Sequence, residues 1–311
     1  MADQQDGGNP KTVKSMDMNR REFIRGMSAV AITTSTCALP IFNLPGIASA
    51  ATDKNSKGAP NAEKLGWRLG CQAWTFNRFT FFESVDKTAE LGLNYIEAFP
   101  HGQKLSPSNS AIFGPKLSDS DRKEVKTYLS DKGVTLVNMG VGPYDKEAFD
   151  FAKEMGIETL VSEPKFGDFD AVDKLCEEYQ INVAIHDHAK PSPYWNPDTV
   201  LKVTKGHSKR IGACCDTGHW MHSDLNPVEC LRKLEGRIIS FHVKDLNEFG
   251  PKAHDVPWGT GRGDVKGMLV EVKRQGIKPV FSMEYEHKFT MPELAECVAY
   301  FDKVAAELAK E

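Results

Sequence analysis

The amino-acid sequence predicts a single-domain (β/α)8 barrel, or TIM barrel, over residues 65–311. Amphipathic segments that end at or near Gly are followed by short β-branched runs, as in DKGVTLVNMG (131–140) and RQGIKPVFSME (274–284), and eight such strands alternate with helical patterns. Gly after a helix supplies a left-handed cap, and near-continuous apolar runs suit strands buried on both faces of a parallel sheet. Eight such units make a barrel of this size. A doubly wound open sheet is the alternative, but the CQAWTFN segment of the first strand lacks its Gly-rich turn.

The elements follow in order along the chain. Helix 118–132 illustrates the reasoning: Ser118 or Ser120 can cap its start, and Val125 and Leu129 share one face with Tyr128. Strands are predicted near residues 67–75, 93–99, 133–141, 158–163, 181–188, 210–216, 237–244 and 278–286. Helices are predicted near residues 80–92, 118–132, 145–155, 169–179, 197–205, 226–235, 264–275 and 291–309.

The first 50 residues are predicted to be a twin-arginine signal peptide that is not part of the fold. Arg20 and Arg21 precede a weakly apolar stretch at 27–47, and residues 48–50 form a small-residue cleavage site. The stretch is interrupted by prolines and short for a membrane span, which disfavours an uncleaved anchor. Residues 51–64 are predicted to be a linker. We therefore expect export by the Tat machinery, a periplasmic location and no membrane contact after cleavage.

The composition is that of an ordinary globular protein with no nucleic-acid partner. The chain has 311 residues, 40% of them hydrophobic, and a formal net charge of −4. A nucleic-acid-binding chain would carry clustered Lys and Arg and a high pI. The cysteines after residue 50 include no CxxC pair, so we expect buried thiols rather than zinc ligands. The sequence leaves the oligomeric state open.

Ionisable side chains end most of the predicted strands. Because the C-terminal ends of barrel strands converge on one face, these groups should meet there. Burying several unpaired charges together is costly, and a divalent cation would remove that cost. Oxygen and imidazole ligands without thiolate suit Mn²⁺, Mg²⁺, Co²⁺, Fe²⁺ or Zn²⁺ without selecting one. The residues, in strand order, are Glu97, Glu163, His186 and His188, Asp216 and His219, His242 and Lys244, and Glu284 and Glu286.

Some of these positions also have purely structural interpretations. Glu97 could form a salt bridge at the barrel rim, Lys244 could neutralise a carboxylate, and Glu286 is expected to face solvent or a lysine. Asp245 is expected to brace the loop that follows it. The Gly-rich stretch at 259–263 favours a flexible lid over the site, and an anion-binding turn is the alternative.

Four motifs resemble the sugar phosphate isomerase/epimerase family of xylose isomerase-like barrels, over roughly residues 65–308. They are CCDTGHW (214–220), HVKD (242–245), VPWGTG (256–261) and FSMEYE (281–286). The resemblance implies metal ligands at Asp216, His242 and Glu284 and a substrate contact for His219. In the ketose epimerases a Glu that ends strand 5 is both ligand and acid/base group, whereas this chain has His186. We expect Glu163 to be the fourth ligand and His186 to be a fifth ligand or a general base.

The predicted function is that of a metal-dependent sugar isomerase or epimerase that forms an enediolate next to a carbonyl of a sugar or keto-sugar. The alternatives are an exported lyase or dehydratase that acts on 3-keto-glycosides or inosose-like substrates by β-elimination, and a non-catalytic periplasmic carbohydrate-binding protein. A DNA-repair nuclease of the same superfamily is disfavoured by the absence of a basic surface. The predicted catalytic residues are Glu163, His186, His219 and Glu284. The predicted substrate-binding residues are Trp74, Glu97, His188, His219, Lys244 and Trp258.

Overall fold

The structure, a computed structural model, describes residues 58–310 and contains a closed barrel of eight parallel strands. Each strand pairs with the next along the chain, and β8 pairs with β1. This confirms the predicted (β/α)8 barrel. The predicted signal peptide lies outside the described residues, as does most of the predicted linker. The strands are β1 Arg68–Gln72, β2 Tyr95–Ala98, β3 Thr135–Met139, β4 Thr159–Ser162, β5 Asn182–Ile185, β6 Ile211–Asp216, β7 Ile238–Val243 and β8 Val280–Met283.

Ten α-helices surround the barrel in the described part of the chain. Local signals start them: Thr80 and Glu83 form a reciprocal capping box at α2, and Ser118 caps α3 as the sequence predicts. None of the described helices is both long and apolar enough to cross a membrane. The helices are α1 Pro60–Lys64, α2 Phe81–Glu90, α3 Asp119–Lys132, α4 Lys146–Met155, α5 Phe169–Tyr179, α6 Pro197–Thr204, α7 Thr217–His222, α8 Pro227–Lys233, α9 Val265–Gln275 and α10 Met291–Leu308.

The structure differs from the sequence prediction at several element ends. Residues 60–64, assigned to the linker, form α1, because the carboxylate of Asp302 in α10 accepts the backbone N–H groups of Asn61 and Ala62. The helix α7 directly after β6 was not predicted. Strands 5 and 8 end earlier than expected, so His186 and Glu284 lie in the first turn after a strand and strand alternation does not set their directions.

Two kinds of packing separate the outside of the barrel from its inside. Between strands and helices the core is apolar, with Trp67, Phe281 and Phe301 in mutual edge contacts at ring-centroid distances of 5.0–6.2 Å. Inside the barrel, polar side chains from β1, β2, β3, β7 and β8 hydrogen-bond to one another. The strand register pairs Asp216 with His242, which brings their side chains to the same level at the C-terminal mouth.

Candidate metal centre and active-site cleft

Four buried side chains converge at the C-terminal mouth of the barrel. His186, Asp216, His242 and Glu284 each offer one ligand atom, and these atoms all lie within 4.8 Å of one another. The His186 Nε2 atom is 3.5 Å from Asp216 Oδ2, and His242 Nδ1 is 3.2 Å from Glu284 Oε2. The four residues follow β5, end β6, lie near the end of β7 and follow β8, respectively. Three of the four predicted metal ligands are therefore in this cluster, which we call the mouth cluster.

Each imidazole of the mouth cluster has a carboxylate on its outer nitrogen. His242 Nε2 donates to Glu97 Oε1 at 2.8 Å, and His186 Nδ1 donates to Glu163 Oε1 at 3.2 Å. These bonds orient the rings, so His242 Nδ1 and His186 Nε2 point to the centre of the cluster, where each could bind an ion once it has lost its proton. Metal-binding histidines in proteins are usually oriented by such an outer carboxylate.

The structure places Glu163 outside the mouth cluster. His186 occupies the position of the fourth ligand, which was predicted to be Glu163. The Glu163 carboxylate instead accepts hydrogen bonds from the Nδ1 atoms of both His186 and His188. Burial alone would raise the pKa of Glu163, but its two histidine partners lower it well below the usual range. Glu163 therefore orients two imidazoles as an ionised carboxylate.

Glu97 is also not at the cleft surface, contrary to its predicted role in substrate binding. Its buried carboxylate accepts hydrogen bonds from Gln72 Nε2 at 2.9 Å, Ser282 Oγ at 2.7 Å and Asn138 Nδ2 at 3.3 Å, besides His242. With both oxygens occupied, Glu97 positions His242 rather than a substrate. Two of these partners of Glu97, Gln72 and Asn138, lie near the ends of strands and are not predicted from the sequence.

Lys244 is buried among three carboxylates. Its Nζ lies 2.9 Å from Asp216 Oδ2, 2.9 Å from Glu284 Oε2 and 3.1 Å from Glu286 Oε2. One ammonium against three carboxylates leaves two negative charges uncompensated. Lys244 thus does neutralise carboxylates and lies behind the cleft, while Glu286 pairs with this lysine and also reaches the cleft.

Titration of these groups follows from burial and from their neighbours. Burial alone would raise the pKa of Glu284, but Lys244 and His242 lower it to about 2. Burial opposes protonation of His242, yet the negative charges of Glu97 and Glu284 raise its pKa well above the usual value. Burial raises the pKa of the adjacent Cys214 thiol to about 11, which keeps it protonated. At neutral pH the carboxylates of the cluster are therefore ionised, whereas the thiol is not available as a thiolate.

These features fit a divalent cation. Two uncompensated negative charges match its charge, and His242 Nδ1 is a buried atom without a hydrogen-bond partner. Two carboxylates and two imidazoles, with no thiolate, suit Mn²⁺, Mg²⁺, Co²⁺, Fe²⁺ or Zn²⁺. The residues that would hold the ion are His186, Asp216, His242 and Glu284.

A cleft with an empty volume of about 640 Å³, counted to its open mouth, lies above the cluster. Trp74 and Phe99 form one wall, with ring centroids 5.0 Å apart, and the Trp74 Nε1 atom donates to Glu286 Oε1 at 3.1 Å. His188 and His219 line the opposite part. Burial lowers the pKa of His219 to about 3, so its imidazole is neutral. Trp74, His188 and His219 thus occupy positions suited to their predicted substrate contacts.

Trp258 lies away from the cleft. Its ring is buried against Phe301 of α10, with centroids 5.9 Å apart, and its backbone N–H faces Cys297 Sγ at 3.4 Å. The cause is the path of the loop after β7, where the backbone N–H groups of Gly259 and Gly261 donate to Asp245. Trp258 is therefore a packing residue, and its predicted contact with substrate is not made.

The Gly-rich stretch at 259–263 wraps around the carboxylate of Asp245. The backbone N–H groups of Gly259, Gly261 and Gly263 donate to it at 2.8–3.0 Å. A Cβ at Gly261 would lie 2.3 Å from Asp245 Oδ1, so Gly is required there. This confirms that Asp245 braces the loop, and it corrects the alternative of an anion-binding turn, because the protein's own carboxylate occupies the donors.

The fold and the mouth cluster together define a class of (β/α)8 barrel proteins with a candidate metal site at the C-terminal face. The model of the xylose isomerase-like TIM barrel family matches residues 85–299, and the chain belongs to this family. Over 100 residues it is 30% identical to the uncharacterised protein y4fM of Sinorhizobium fredii, and this match spans only 30% of that protein's length and 30% of this chain.

Solved structures share the fold. An uncharacterised protein of Parabacteroides distasonis is 32% identical, with a TM-score of 0.64 over 76% of this chain and 99% of that chain. A D-tagatose 3-epimerase-like protein is 18% identical, with a TM-score of 0.63 over 78% of this chain and 99% of that one. A Mycobacterium smegmatis barrel protein in complex with magnesium is 14% identical, with a TM-score of 0.62 over 78% and 97%.

Proposed function

We propose that the protein is a metal-dependent isomerase or epimerase that moves a proton next to the carbonyl of a sugar or keto-sugar. The observation that carries the proposal is the mouth cluster, in which two imidazoles oriented by outer carboxylates face two ionised carboxylates at the floor of a cleft. A divalent cation in this cluster would polarise a carbonyl and an adjacent hydroxyl and stabilise the negative charge of an enediolate. The epimerase-like and magnesium-binding structures among its neighbours are consistent with this chemistry.

His188 is the residue best placed to move the proton. Its side chain is half exposed in the cleft, and its Nδ1 atom donates to the ionised Glu163. This hydrogen bond leaves the Nε2 lone pair available to a substrate C–H group. A carboxylate behind the imidazole also stabilises the imidazolium that forms when the proton is taken.

The remaining cleft residues would hold the substrate. The neutral His219 lines the cleft beside His188, with ring centroids 5.1 Å apart, and would contact a bound substrate. The Trp74 indole offers an apolar face to a sugar ring. With the proton removed, return to the same carbon gives epimerisation, return to the neighbouring carbon gives isomerisation, and loss of a β-substituent gives elimination. We further propose, from the signal at residues 1–50, that the protein acts in the periplasm.

The test is proton exchange in deuterated water. Metal-loaded protein would be incubated with ketoses, inososes and 3-keto-glycosides, and NMR would locate the incorporated deuterium and identify the products. We expect exchange that falls by at least about 100-fold in Glu284→Gln and Asp216→Asn, and also in His188→Gln. The last variant should retain its metal, because His188 is outside the mouth cluster.

Glu90→Gln is the matched control, since Glu90 is an exposed carboxylate on α2 remote from the barrel mouth. It should exchange at the wild-type rate. Full activity in both Glu284→Gln and Asp216→Asn would refute the assigned centre. Tight sugar binding without any exchange would instead favour a non-catalytic carbohydrate-binding protein, and a dehydrated product would establish the lyase.

A further inference from the structure

The described residues that line the cleft offer no lysine or arginine to an anionic substrate. The lining side chains that carry a negative charge are Glu284 and Glu286. Lys244 is close, but its ammonium is buried behind the cleft and already contacts three carboxylates. Proteins that bind phosphate or carboxylate groups normally provide Arg, Lys or backbone N–H donors for them.

The backbone N–H groups that most resemble a phosphate-binding loop already have an acceptor. Three N–H groups of the Gly-rich loop at 259–263 donate to the carboxylate of Asp245. A substrate phosphate could use them only by displacing a covalently attached anion that is already in place. These three N–H groups are therefore held by an internal charge and are not available to an external one.

A divalent cation would leave no excess positive charge beneath the cleft. Asp216, Glu284 and Glu286 contribute three negative charges, and Lys244 contributes one positive charge. A dication brings this sum to zero, and the carboxylates of Glu97 and Glu163 add further negative charge behind the two imidazoles. The phosphate of a sugar ester would then add uncompensated negative charge in a partly desolvated site, which is unfavourable.

Glu286 is fixed so that its charge faces the cleft. One oxygen accepts from Trp74 Nε1 at 3.1 Å, the other contacts Lys244 Nζ at 3.1 Å, and its backbone N–H donates to Asp255 Oδ2 at 3.0 Å. Its side chain is 36% exposed and cannot turn away without breaking these contacts. It lies beside the Trp74 ring, so a ligand that stacks on the indole also meets this carboxylate.

We propose that the cleft selects an uncharged polyhydroxylated carbonyl compound over its phosphorylated or carboxylated counterparts, and that Glu286 determines this specificity. The inference rests on the proposed function of the same cleft and adds the substrate class. Hydroxyl groups of a neutral sugar donate to the Glu286 carboxylate while an apolar ring face packs on Trp74. An anionic group at the same place meets like charge.

The test compares binding of matched neutral and anionic ligands by calorimetry and ligand-observed NMR, with Mg²⁺-loaded protein. The pairs are D-fructose with D-fructose 6-phosphate, and D-glucose with D-glucose 6-phosphate and D-glucuronate. In wild type we expect at least one neutral sugar to bind about tenfold or more tightly than its anionic counterpart. In Glu286→Gln, which keeps an oxygen acceptor for Trp74 and removes the charge, this ratio should fall about tenfold.

Glu248→Gln is the matched control, because Glu248 is an exposed carboxylate in the loop after β7. Its ratio should equal that of wild type. Trp74→Ala should weaken binding of the neutral sugar because it removes the stacking surface, and it should also lower the ratio because it releases one of the contacts that hold Glu286. Equal or tighter binding of the anionic ligands to wild type overturns the proposal.

An unchanged ratio in Glu286→Gln overturns it as well, as does a failure of every neutral sugar to bind at about 50 mM, far above usual substrate affinities. Failure of the proposed function looks different. A neutral sugar that binds selectively but shows no deuterium exchange refutes the enediolate chemistry and leaves the specificity intact.

Discussion

Replacing Glu97 by Gln should weaken metal binding without unfolding the barrel. In wild type one carboxylate oxygen accepts from Gln72 and His242, and the other accepts from Asn138 and Ser282. The Gln variant can keep its carbonyl oxygen toward His242 and turn its NH₂ group toward the other pair. The Asn138 Oδ1 atom, which has no partner in wild type, then becomes an acceptor after an amide flip, and the Ser282 hydroxyl rotates to accept.

The expected magnitude follows from the change at a single bond. A hydrogen bond to a charged group contributes about 1.5–3 kcal/mol, and a neutral one about 0.5–1.5 kcal/mol. Losing the negative charge 2.8 Å from His242 Nε2 therefore costs about 1 kcal/mol of metal-binding free energy, because His242 becomes a less basic and less firmly oriented ligand. That corresponds to roughly a fivefold to tenfold loss of metal affinity. Removing the carboxylate partner of a metal-binding histidine typically lowers metal affinity by about 10–100-fold, so the expected loss is near the low end of this range.

The assay is calorimetric titration of metal-free Glu97→Gln with Mn²⁺ or Zn²⁺, accompanied by thermal unfolding. Ser282→Ala serves as the control, because it removes one donor to Glu97 and leaves the charge on His242 unchanged. We expect it to bind metal nearly as wild type does. Unaltered affinity in Glu97→Gln would refute the role of Glu97 in orienting His242, and a loss as large as that of Glu284→Gln would make Glu97 a direct ligand.

Two further predictions concern stability. Gly218→Ala would place a Cβ 2.6 Å from Lys244 Cδ, so the free energy of unfolding in urea should fall by about 1–3 kcal/mol. Gly167→Ala is the control, because the space at its Cβ is open, and its stability should change little. Equal effects of the two substitutions would contradict the steric reasoning. Burial raises the pKa of Asp255 to about 7 from 3.8, so the folded chain retains a proton that the unfolded chain loses between these values. Asp255 should therefore contribute a decrease in the free energy of unfolding of on the order of 4 kcal/mol as pH rises through this range, while the lowered pKa of His219 contributes in the opposite direction. Asp255→Asn should remove the decrease, so that its stability rises with pH relative to wild type; parallel pH profiles of variant and wild type would exclude this role of Asp255.

The sequence predicts the fold well because the repeating unit and its count leave few alternatives. Ionisable groups after the buried strands of a barrel are expected to meet at its mouth, and the motif resemblance selects Asp216, His242 and Glu284 among them. The sequence cannot choose between Glu163 and His186 for the fourth position. Both are the first residue after their strands, and the register pairs Ser162 with Ile185, so the two side chains start as neighbours. Which one turns inward depends on loop geometry that no periodicity encodes.

The sequence predicts substrate contacts for Glu97 and Trp258 that the structure does not show, for a similar reason. Glu97 lies within β2, below the mouth, and a strand pattern does not tell how deep in the barrel an inward side chain is. Trp258 immediately precedes a Gly-rich turn whose path is set by three hydrogen bonds to Asp245, more than ten residues earlier in the chain. Both errors concern depth and loop path rather than the choice of residue type.

Assembling the mouth cluster has an electrostatic consequence for the empty protein. Its carboxylates stay ionised because Lys244 is buried beside them, yet this single ammonium leaves them undercompensated. Against the effect of burial, His186 and His242 have raised pKa values, so protons on these imidazoles supply part of the missing positive charge. A metal ion would need the same nitrogen lone pairs, so binding of an ion to the mouth cluster would release protons. The affinity for such an ion would therefore increase with pH.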